Sequence, residues 1–511
     1  MNLRAWFLPL AASAFALLSI PAAGDEPPLD ADTLLAKIRA AAGPVPSAYR
    51  ETDVTVVSDG LTTTEYDYRR GKDFRFVFDT GPFHTERGVH DGSAWHMNDN
   101  GQVVFDEPDP GLAARERTTT TVRAVHTPVE GYLIATLNAR GDGSKQYVDG
   151  ARWYVARRER ITPNGTVVTT YDDVREDHGR VFAHHAHTDN GYAHTTSDMR
   201  ITEYVTGDVA DAQVAVPSPL RALVTFPAGV TSVDLPAKFG HPHVYVRVMI
   251  GDRGLDFVLD TGASGITIDS AVAHELGLPE YGKRSAVTAG RYTTYRTIVP
   301  QMRVGGLTMK NVAVQVVPQG WHAEPEVKEV GLLGFDFLAE LGVTIDYEHE
   351  RVTVVSSGAY TPPSGPNTIP LAVRIGSGQP HATASVNGAV GEHWVLDTGG
   401  AGTFLIFDRF SRVHPEALRD EGRDFERDVH LYGIGGDIPA RPYQIASLKL
   451  GSVNFTHFVG YRVTSASTYA GNDDGIIGPD FLRLFTLSLD YADSRVFLVP
   501  NKDGRAAMGI K

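Results

Sequence analysis

The sequence predicts a mainly β protein in which two similar β-barrel lobes stand in tandem, preceded by a β-rich antiparallel domain with an N-terminal helix. Two observations carry this prediction. Short alternating runs separated by turn residues fill the first part of the chain, as in antiparallel strands joined by hairpins. The second part then repeats itself with a unit of roughly 120 residues, which indicates a duplicated fold.

The first domain, called the accessory domain here, is predicted to begin with a helix over "DADTLLAKIRAAA" (30–42). The apolar residues of this segment have helical spacing, and acidic residues stand at its start. Runs such as "DFRFVF", "RWYVARRE" and "TVVTTYDDV" then alternate like strands. They are separated by "HDG", "DNG" and "PNG", which supply the positive φ of tight hairpin turns. This pattern predicts a meander of strands.

The internal repeat has two parts. "HVYVRVMIGDRGLDFVLDTGASG" begins at His243 and "HATASVNGAVGEHWVLDTGGAG" begins at His381, and each contains two strand-like runs that end on an aspartate. "GLLGFDFLAELGVTIDYEHERVTVV" (331–355) then matches "GIIGPDFLRLFTLSLDYADSRVFLV" (475–499) almost position by position. The first copy predicts lobe 1 and the second predicts lobe 2.

The spacing of the repeat brings two carboxylates into register. Asp260 and Asp397 lie 137 positions apart (397 − 260), and Gly334 and Gly478 lie 144 apart (478 − 334), so nearly the same period serves both motifs. Two lobes from a duplicated unit are expected to face each other across a pseudo-two-fold axis. We therefore expect the two aspartates to meet at that axis.

Length and composition bound the class of protein. Hydrophobic residues at 42% and charged residues at 21% are typical of a folded, soluble chain. A net charge of −15 without a basic stripe argues against nucleic acid as a partner. The length of 511 residues fits about three domains. The predicted boundaries are 1–24 for a signal peptide, 25–213 for the accessory domain, 214–235 for a linker, 236–360 for lobe 1, 361–370 for a second linker and 371–502 for lobe 2.

The first residues predict export. Arg4 precedes a mostly apolar stretch over residues 5–20, and Ala22, Ala23 and Gly24 are small enough for signal cleavage. The stretch is short for a permanent membrane span, so we expect none after cleavage, and a periplasmic or secreted location. The chain has no cysteine, which excludes disulfides, a thiolate nucleophile and a lipidated cysteine after the signal.

Two Asp-Thr-Gly motifs carry the predicted chemistry. The motif residues are Asp260, Thr261, Gly262 and Ala263 in lobe 1, and Asp397, Thr398, Gly399 and Gly400 in lobe 2. Each motif is followed by an apolar-apolar-Gly triplet, which ends at Gly334 or Gly478. Together these residues resemble the retropepsin-like aspartic proteases, the fold of retroviral proteases and of each pepsin lobe. The tandem copies are similar to exported bacterial members that carry both lobes in one chain.

The residue types suit this chemistry. Two carboxylates at about 3 Å cannot both ionise, so Asp260 and Asp397 are expected to share one proton. One can then take a proton from a bound water while the other donates to the scissile carbonyl, without a metal or other cofactor. The motif glycines allow a sharp turn beside the carboxylates, and Thr261 and Thr398 are able to hydrogen-bond across the lobe junction.

The resemblance implies a β-hairpin flap over the two aspartates. By position, the candidates are "VTAGRYTTY" (287–295) in lobe 1 and "LYGIGGDIP" (431–439) in lobe 2. A peptide or protein substrate would lie extended between flaps and aspartates as an added strand. The flap residues that we assign are Gly290, Tyr292, Gly433, Gly435 and Gly436.

Lobe 2 departs from the family pattern, with Gly400 and Ala401 where lobe 1 has Ala263 and Ser264. We expect its loop to be looser, without a hydroxyl that bonds its aspartate. An alternative function therefore stays open: a non-catalytic periplasmic binding protein whose lobes grip an extended peptide or a lipoprotein. The retention of both aspartates favours an exported aspartic endopeptidase.

The accessory domain supports two interpretations. Its helix, its long meander and "DGSAWHMND" resemble the half-barrel of periplasmic lipoprotein carriers of the LolA type, which implies contact with a lipid or lipoprotein. A substrate-docking or inhibitory domain of other ancestry is the alternative.

Two further features are given structural interpretations. His185 and His187 share one face of a predicted strand and have the chemistry of zinc ligands, but no further ligand motif accompanies them, so we interpret them as solvated and expect no metal. The repeated pairs Asp346-Tyr347 and Asp490-Tyr491 are interpreted as turn residues that were copied with the lobe.

Overall fold

The computed structural model describes residues 29–57, 60–106, 118–139, 141–162, 165–192, 194–319, 327–400, 402, 404–418, 427–463 and 473–510. The predicted signal peptide, residues 1–24, lies outside these ranges. The predicted fold class is confirmed, because an antiparallel β domain with an N-terminal helix precedes two β lobes. Within the described ranges, no helix is long and apolar enough to cross a bilayer.

The accessory domain begins with helix α1 (Ala31–Ala42), which Asp30 caps by accepting from Thr33 N over 2.7 Å. Its buried Leu34 packs against Ile134 and Val148 of the sheet. The strands of this domain form one antiparallel sheet: β1 (Ala48–Val57), β2 (Thr62–Arg70), β3 (Asp73–Thr80), β4 (Phe83–His90), β5 (Ser93–Met97), β6 (Val103–Asp106), β7 (Thr118–Val125), β8 (Gly131–Asn138), β9 (Gly143–Asp149), β10 (Val155–Thr162), β11 (Gly165–Asp177), β12 (Arg180–Asp189) and β13 (Ser197–Thr206).

This sheet is a meander with one long-range closure. Its order runs from β6 back to β1 and then from β13 back to β7, so the first and last strands of the domain are neighbours. Every other neighbour is consecutive in the chain, which is what the predicted hairpin turns require.

Lobe 1 follows a short helix, α2 (Asp211–Val214). Its elements are β14 (Ser232–Leu235), β15 (Ala237–Phe239), β16 (Val244–Ile250), β17 (Arg253–Leu259), β18 (Ile266–Asp269), α3 (Ser270–Glu275), β19 (Tyr281–Val287), β20 (Arg291–Val304), β21 (Leu307–Val317), β22 (Glu329–Leu333), α4 (Phe335–Leu338), β23 (Leu341–Asp346) and β24 (Arg351–Ser356), with a 3₁₀ turn over Ser357–Ala359.

Lobe 2 repeats this order. Its elements are β25 (Ile369–Gly376), β26 (Gln379–Val386), β27 (Ala389–Leu396), β28 (Phe404–Ile406), α5 (Asp408–Val413), a 3₁₀ turn (Pro415–Leu418), β29 (Val429–Gly433), β30 (Gly436–Leu450), β31 (Val453–Val463), β32 (Gly475–Ile477), α6 (Pro479–Leu482), β33 (Phe485–Asp490), β34 (Arg495–Pro500) and α7 (Lys502–Met508).

The lobes are joined by a sheet in which strands of both take part, in the order β14, β24, β23, β33, β34, β25. At its centre Thr344 pairs with Ser488, its own equivalent 144 positions later (488 − 344), and their hydroxyls lie 3.1 Å apart. The pseudo-two-fold axis therefore passes between β23 and β33. Residues 232–235, in the predicted linker, form an edge strand of this sheet.

The accessory domain contacts lobe 1 through the turn between β5 and β6. Asn98 Nδ2 and Asn100 Nδ2 donate to the buried Asp336 carboxylate over 2.8 and 3.0 Å, and Gln102 Nε2 donates to Asp336 O over 3.0 Å. Asn100 also exchanges two hydrogen bonds with the backbone of Ala313, over 2.9 and 3.1 Å. Despite these donors, burial raises the pKa of Asp336 to about 7. The two domains therefore share a buried polar interface.

We expect Asn100→Ala to destabilise lobe 1 by about 2–4 kcal/mol, because it leaves the Ala313 N–H and C=O and one Asp336 oxygen without this partner in a buried site. Thermal unfolding measures the effect. Asn138→Ala is the matched control, because Asn138 caps the β8–β9 turn by accepting from Asp142 N over 2.9 Å within the accessory domain. Equal losses in the two variants would contradict an interface role for Asn100.

Candidate active site

The two motif aspartates, called the dyad below, stand at equivalent places in the lobes. Asp260 follows β17 and its N–H donates to Leu333 O over 3.0 Å, while Asp397 follows β27 and its N–H donates to Ile477 O over 3.0 Å. The two residues are 6% and 8% exposed. Their carboxyl groups hydrogen-bond each other across the lobe junction. The structure thus brings together the two aspartates that the repeat predicted.

Gly262 and Gly399 are required by the carboxyl group of the opposite lobe. A Cβ on Gly262 would lie 2.4 Å from Asp397 Cγ, and a Cβ on Gly399 would lie 2.2 Å from Asp260 Cγ. Each glycine N–H donates to the aspartate of its own motif, over 2.8 and 2.9 Å. Close approach of the two motifs, rather than a sharp turn alone, is therefore the structural reason for these glycines.

Thr261 and Thr398 join the two motifs by buried hydrogen bonds. Thr261 Oγ1 donates to Leu396 O over 2.6 Å and accepts from Thr398 N over 3.0 Å. Thr398 Oγ1 donates to Leu259 O over 2.7 Å and accepts from Thr261 N over 3.1 Å. Both threonines are 1% exposed, so water does not compete for these bonds. The predicted hydrogen bonding across the junction is present.

The dyad has the electrostatics of a pair that holds one proton. Burial, followed by the charge of Asp397, raises the pKa of Asp260 well above its usual range. Burial also raises the pKa of Asp397, while the Gly399 N–H and the hydrogen bond from Asp260 oppose that shift. Because each carboxyl group titrates in the field of the other, the two ionisations belong to the pair.

The predicted triplet glycines support the motif loops. Gly334 follows β22 and Gly478 follows β32, and each is the residue before a short helix, α4 or α6. A Cβ on Gly334 would lie 2.4 Å from both Ala263 O and Gly265 O. A larger residue there would displace the loop that follows Asp260.

The predicted flap residues lie at the tips of two hairpins. Gly290 lies in the turn between β19 and β20, and Tyr292 lies in β20. Gly433 ends β29, Gly435 lies in the turn with φ +85°, and Gly436 begins β30. A Cβ on Gly290 would lie 2.0 Å from Gly435 O, so the two tips touch across the lobes.

Each flap tip also packs on the opposite lobe. Thr288 Oγ1, in the tip of lobe 1, donates to Ile434 O in the tip of lobe 2. Ile434 packs against a cluster in lobe 1 that contains Val258, and Ala289 packs against a cluster in lobe 2 that contains Val395. Since these valines stand two residues before the dyad aspartates, the tips close over the walls beside the dyad.

Residues 246–337, which include Asp260 and Gly334, match the aspartyl protease family. The resemblance that the two Asp-Thr-Gly motifs predicted is thereby confirmed for lobe 1. No curated protein sequence matches the chain.

Several solved structures are similar to parts of this chain. The aspartic proteinase from Irpex lacteus is similar over 54% of this chain and 99% of its own, with 12% identity and a TM-score of 0.34. A LolA superfamily protein from Nitrosomonas europaea is similar over 37% of this chain and 98% of its own, with 9% identity and a TM-score of 0.28. A putative outer membrane lipoprotein-sorting protein domain from Vibrio parahaemolyticus is similar over 34% of this chain and 90% of its own, with 8% identity and a TM-score of 0.26.

The expected difference between the lobes, a hydroxyl that bonds the aspartate of lobe 1 alone, is absent from the described contacts of Asp260. Ser264 of lobe 1 is exposed, and the polar contacts of Asp260 come from the Gly262 N–H and from Asp397. In lobe 2, the Gly400 N–H donates to Asp397. Ala401 lies outside the described residues. In the described contacts, backbone N–H groups therefore bond the aspartates of both lobes.

Three buried residues near the dyad were missed by the sequence interpretation. His243 and Glu329 are each 1% exposed and face each other, with 3.8 Å between Nδ1 and Oε2. Tyr491 was interpreted as a turn residue, but it is 6% exposed, and burial together with the charges of Asp260 and Asp397 raises its pKa. The sequence showed that Tyr491 is repeated between the lobes, as Tyr347 in lobe 1. It did not show that Tyr491 lies beside the dyad.

His185 and His187 of the accessory domain have carboxylate partners. His185 Nδ1 lies 2.7 Å from Asp172 Oδ1, and Asp198 Oδ1 lies 3.3 Å from His185 Nε2 and 3.0 Å from His187 Nδ1. His185 is only 11% exposed, so the interpretation of both histidines as solvated is wrong for this one. Within the described ranges, no group of three or more His, Asp or Glu side chains is arranged to hold a metal ion.

A cavity of about 460 Å³ on the accessory domain bears on the predicted lipid contact. Its lining includes Tyr66, Tyr68, the Arg75–Glu86 ion pair at 2.6 Å and His84. An acyl chain needs an apolar wall, because burying unsatisfied polar groups against it is costly. The lining also contains Val77 and Ala212, so it is part polar and part apolar and does not decide between the two interpretations of the accessory domain.

Proposed function

We propose that this protein is an exported aspartic endopeptidase that hydrolyses extended polypeptides through a water activated by Asp260 and Asp397. The observation that carries the proposal is the buried contact of the two carboxyl groups at the lobe junction, where burial raises both pKa values and the charge of Asp397 raises that of Asp260 further. The match of residues 246–337 to the aspartyl protease family supports the same reaction.

The proposed reaction needs only general acid–base chemistry. The ionised carboxylate of the dyad takes one proton from a water, whose oxygen attacks the scissile carbonyl carbon, and the protonated carboxyl gives its proton to the carbonyl oxygen. A tetrahedral gem-diol forms. The proton from water then passes to the amide nitrogen, the C–N bond breaks, and a gem-diol hydroxyl returns its proton to the second aspartate. The dyad ends as it began, with one proton.

Apolar walls on both sides of the dyad define the proposed substrate. In lobe 1 the wall is Tyr245, Val258 and Leu332 with Ala263, and in lobe 2 it is Val395, Leu405, Phe407 and Ile476. Burial of an apolar side chain in such a wall gains about 1.5–3 kcal/mol. We infer that the residues on either side of the scissile bond are apolar.

Peptide hydrolysis tests the proposal. A peptide mixture with apolar residues at adjacent positions is incubated with the protein from acidic to neutral pH, and products are identified by mass spectrometry. We expect cleavage between apolar residues, inhibition by a statine-type peptide and no effect of a chelator. Peptides that bind without being cleaved would instead support the binding protein considered as the alternative.

Export is a separate part of the proposal, supported by the charge, apolar stretch and small residues of residues 1–24. Cell fractionation followed by N-terminal sequencing tests it. We expect the exported form to begin near residue 25. A cytoplasmic protein that retains its first residues would overturn export and leave the peptidase proposal standing.

We expect Gly290→Ala to lower kcat/KM at least about tenfold, mainly through KM, because the new Cβ would meet Gly435 O and push the flap tips apart. Gly254→Ala is the matched control, since its Cβ would approach only the flexible side chains of Arg247 and Met249, at 3.1 and 3.2 Å. Steady-state kinetics on one cleaved peptide provides the comparison. An unchanged KM in Gly290→Ala would show that tip contact does not govern substrate access.

A further inference from the structure

The two lobes differ at one position behind the dyad. Tyr245 pairs with Val258 and His381 pairs with Val395, and the two valines stand two residues before the dyad aspartates. Tyr245 and His381 are therefore equivalent, and the residues two positions before them are His243 in lobe 1 and Gln379 in lobe 2. An ionisable side chain thus stands where the other lobe has a neutral amide.

These two side chains make the same kind of contact across the junction. His243 Nε2 lies 3.3 Å from Gly400 O, and Gln379 Nε2 donates to Gly262 O. A carbonyl oxygen only accepts, so the hydrogen of the first contact is on His243 Nε2. The Gly400 N–H in turn donates to Asp397. His243 is therefore linked to Asp397 through one glycine.

The other nitrogen of His243 faces a buried carboxylate. Glu329 Oε2 lies 3.8 Å from His243 Nδ1, and both residues are 1% exposed. Among the described residues, neither carboxylate oxygen of Glu329 has a hydrogen-bond donor in range. A buried carboxylate without donors is costly unless an opposite charge stands beside it. His243 is the neighbouring side chain that is able to carry that charge.

We propose that the His243–Glu329 pair decides which dyad carboxyl holds the shared proton, placing it on Asp260 and leaving Asp397 as the base that takes the proton from water. This rests on the proposed peptidase function. His243 and Glu329 act through the dyad without touching substrate, so they are positioning residues. In lobe 2, the neutral Gln379 provides a hydrogen bond without a charge.

The electrostatics of the dyad agree with this assignment. The charge of His243 lowers the pKa of Asp397, against a larger rise from burial, and the charge of Glu329 adds to the rise that burial and Asp397 produce for Asp260. Tyr491, from the turn after β33, also faces both aspartates. The groups that face His243 are Glu329 from β22, Asp397 from the loop after β27, and Tyr245 from β16, the strand that begins one residue after His243.

The direct test follows the two carboxyl carbons by ¹³C NMR during a pH titration of the full chain labelled at aspartate. Loss of a signal in Asp260→Asn or Asp397→Asn assigns each resonance. In the wild type we expect Asp397 to ionise first. In His243→Gln, which keeps a donor for Gly400 O, we expect the ionisation of Asp397 to move about one unit higher, a tenfold change in its equilibrium. The acidic limb of the pH profile of kcat/KM should also move to higher pH.

Glu329→Gln and His381→Gln complete the test. Removing the charge of Glu329 should bring the two ionisations of the dyad closer together.

His381→Gln is the control, because His381 is also buried beside a carboxylate, with Nε2 3.0 Å from Asp473. This variant should leave both ionisations in place. Unchanged titrations in folded His243→Gln and Glu329→Gln would overturn the proposal. The two carboxyl resonances titrate whether or not the protein cleaves peptides. An inactive wild type would therefore contradict the proposed peptidase function, while the titrations would still decide which carboxyl holds the shared proton.

Discussion

Asp260→Asn and Asp397→Asn are each expected to lower kcat for peptide hydrolysis at least about a thousandfold. In the proposed reaction, either change removes one of the two groups that exchange protons with water and with the carbonyl oxygen. The two residues act there as a unit, so the double variant should lose little more than either single variant. Substantial turnover by either single variant would rule out a shared water.

The same variants should differ from the wild type in stability, with a sign set by the raised pKa values. A carboxyl whose pKa in the folded state exceeds its ordinary value of about 4 binds its proton more tightly when folded, so its contribution to stability falls as pH rises above that value. Asparagine removes this loss. We expect each variant to melt above the wild type near neutral pH, and this advantage to disappear below about pH 4.

The control for these variants removes the charge of an exposed aspartate, so that the effect of losing a buried carboxyl is measured separately. Asp252→Asn makes the same change of charge in the exposed turn between β16 and β17, and should leave both kcat and the pH dependence of melting unaltered. Circular dichroism establishes that each variant is folded before kinetics are compared. A dyad variant that melts below the wild type at neutral pH would contradict the proposed protonation.

The second large effect is expected for Thr261→Val. Valine has nearly the shape of threonine but leaves Leu396 O without its donor and Thr398 N without its acceptor, both buried at the junction. We expect a loss of about 2–5 kcal/mol in the free energy of unfolding. We also expect a lower kcat, because the motif loops hold the two carboxyl groups in contact.

Thr169→Val is the matched control for that variant. Thr169 of β11 in the accessory domain is 6% exposed and its hydroxyl lies 3.1 Å from that of Thr188, so valine there also removes a buried hydrogen bond, away from the motif loops and the flaps. It should lose stability while keeping kcat at temperatures well below melting. Equal kcat losses in the two variants would mean that Thr261 acts only through global stability.

The hairpin turns and the repeat could be predicted from the sequence because both are encoded locally. Turn residues with positive φ limit which strands become neighbours, so the order from β6 to β1 follows from the chain. The 137-residue and 144-residue spacings pointed to one fold made twice, and hence to a meeting of Asp260 and Asp397. The same glycines that suggested flap tips lie at the tips of two hairpins.

The tertiary structure alone decided which side chains surround those aspartates. His243, Glu329 and Tyr491 come from three distant segments, and no local pattern marks them as neighbours of the dyad. The Asn100 turn was recognisable as a hairpin, but its bond to Asp336 spans 236 positions. Local sequence sets turns and periodicity, whereas burial and charge at a site depend on contacts between segments that only the folded chain brings together. The proposed location of the shared proton therefore depends on contacts that exist only in the assembled lobes.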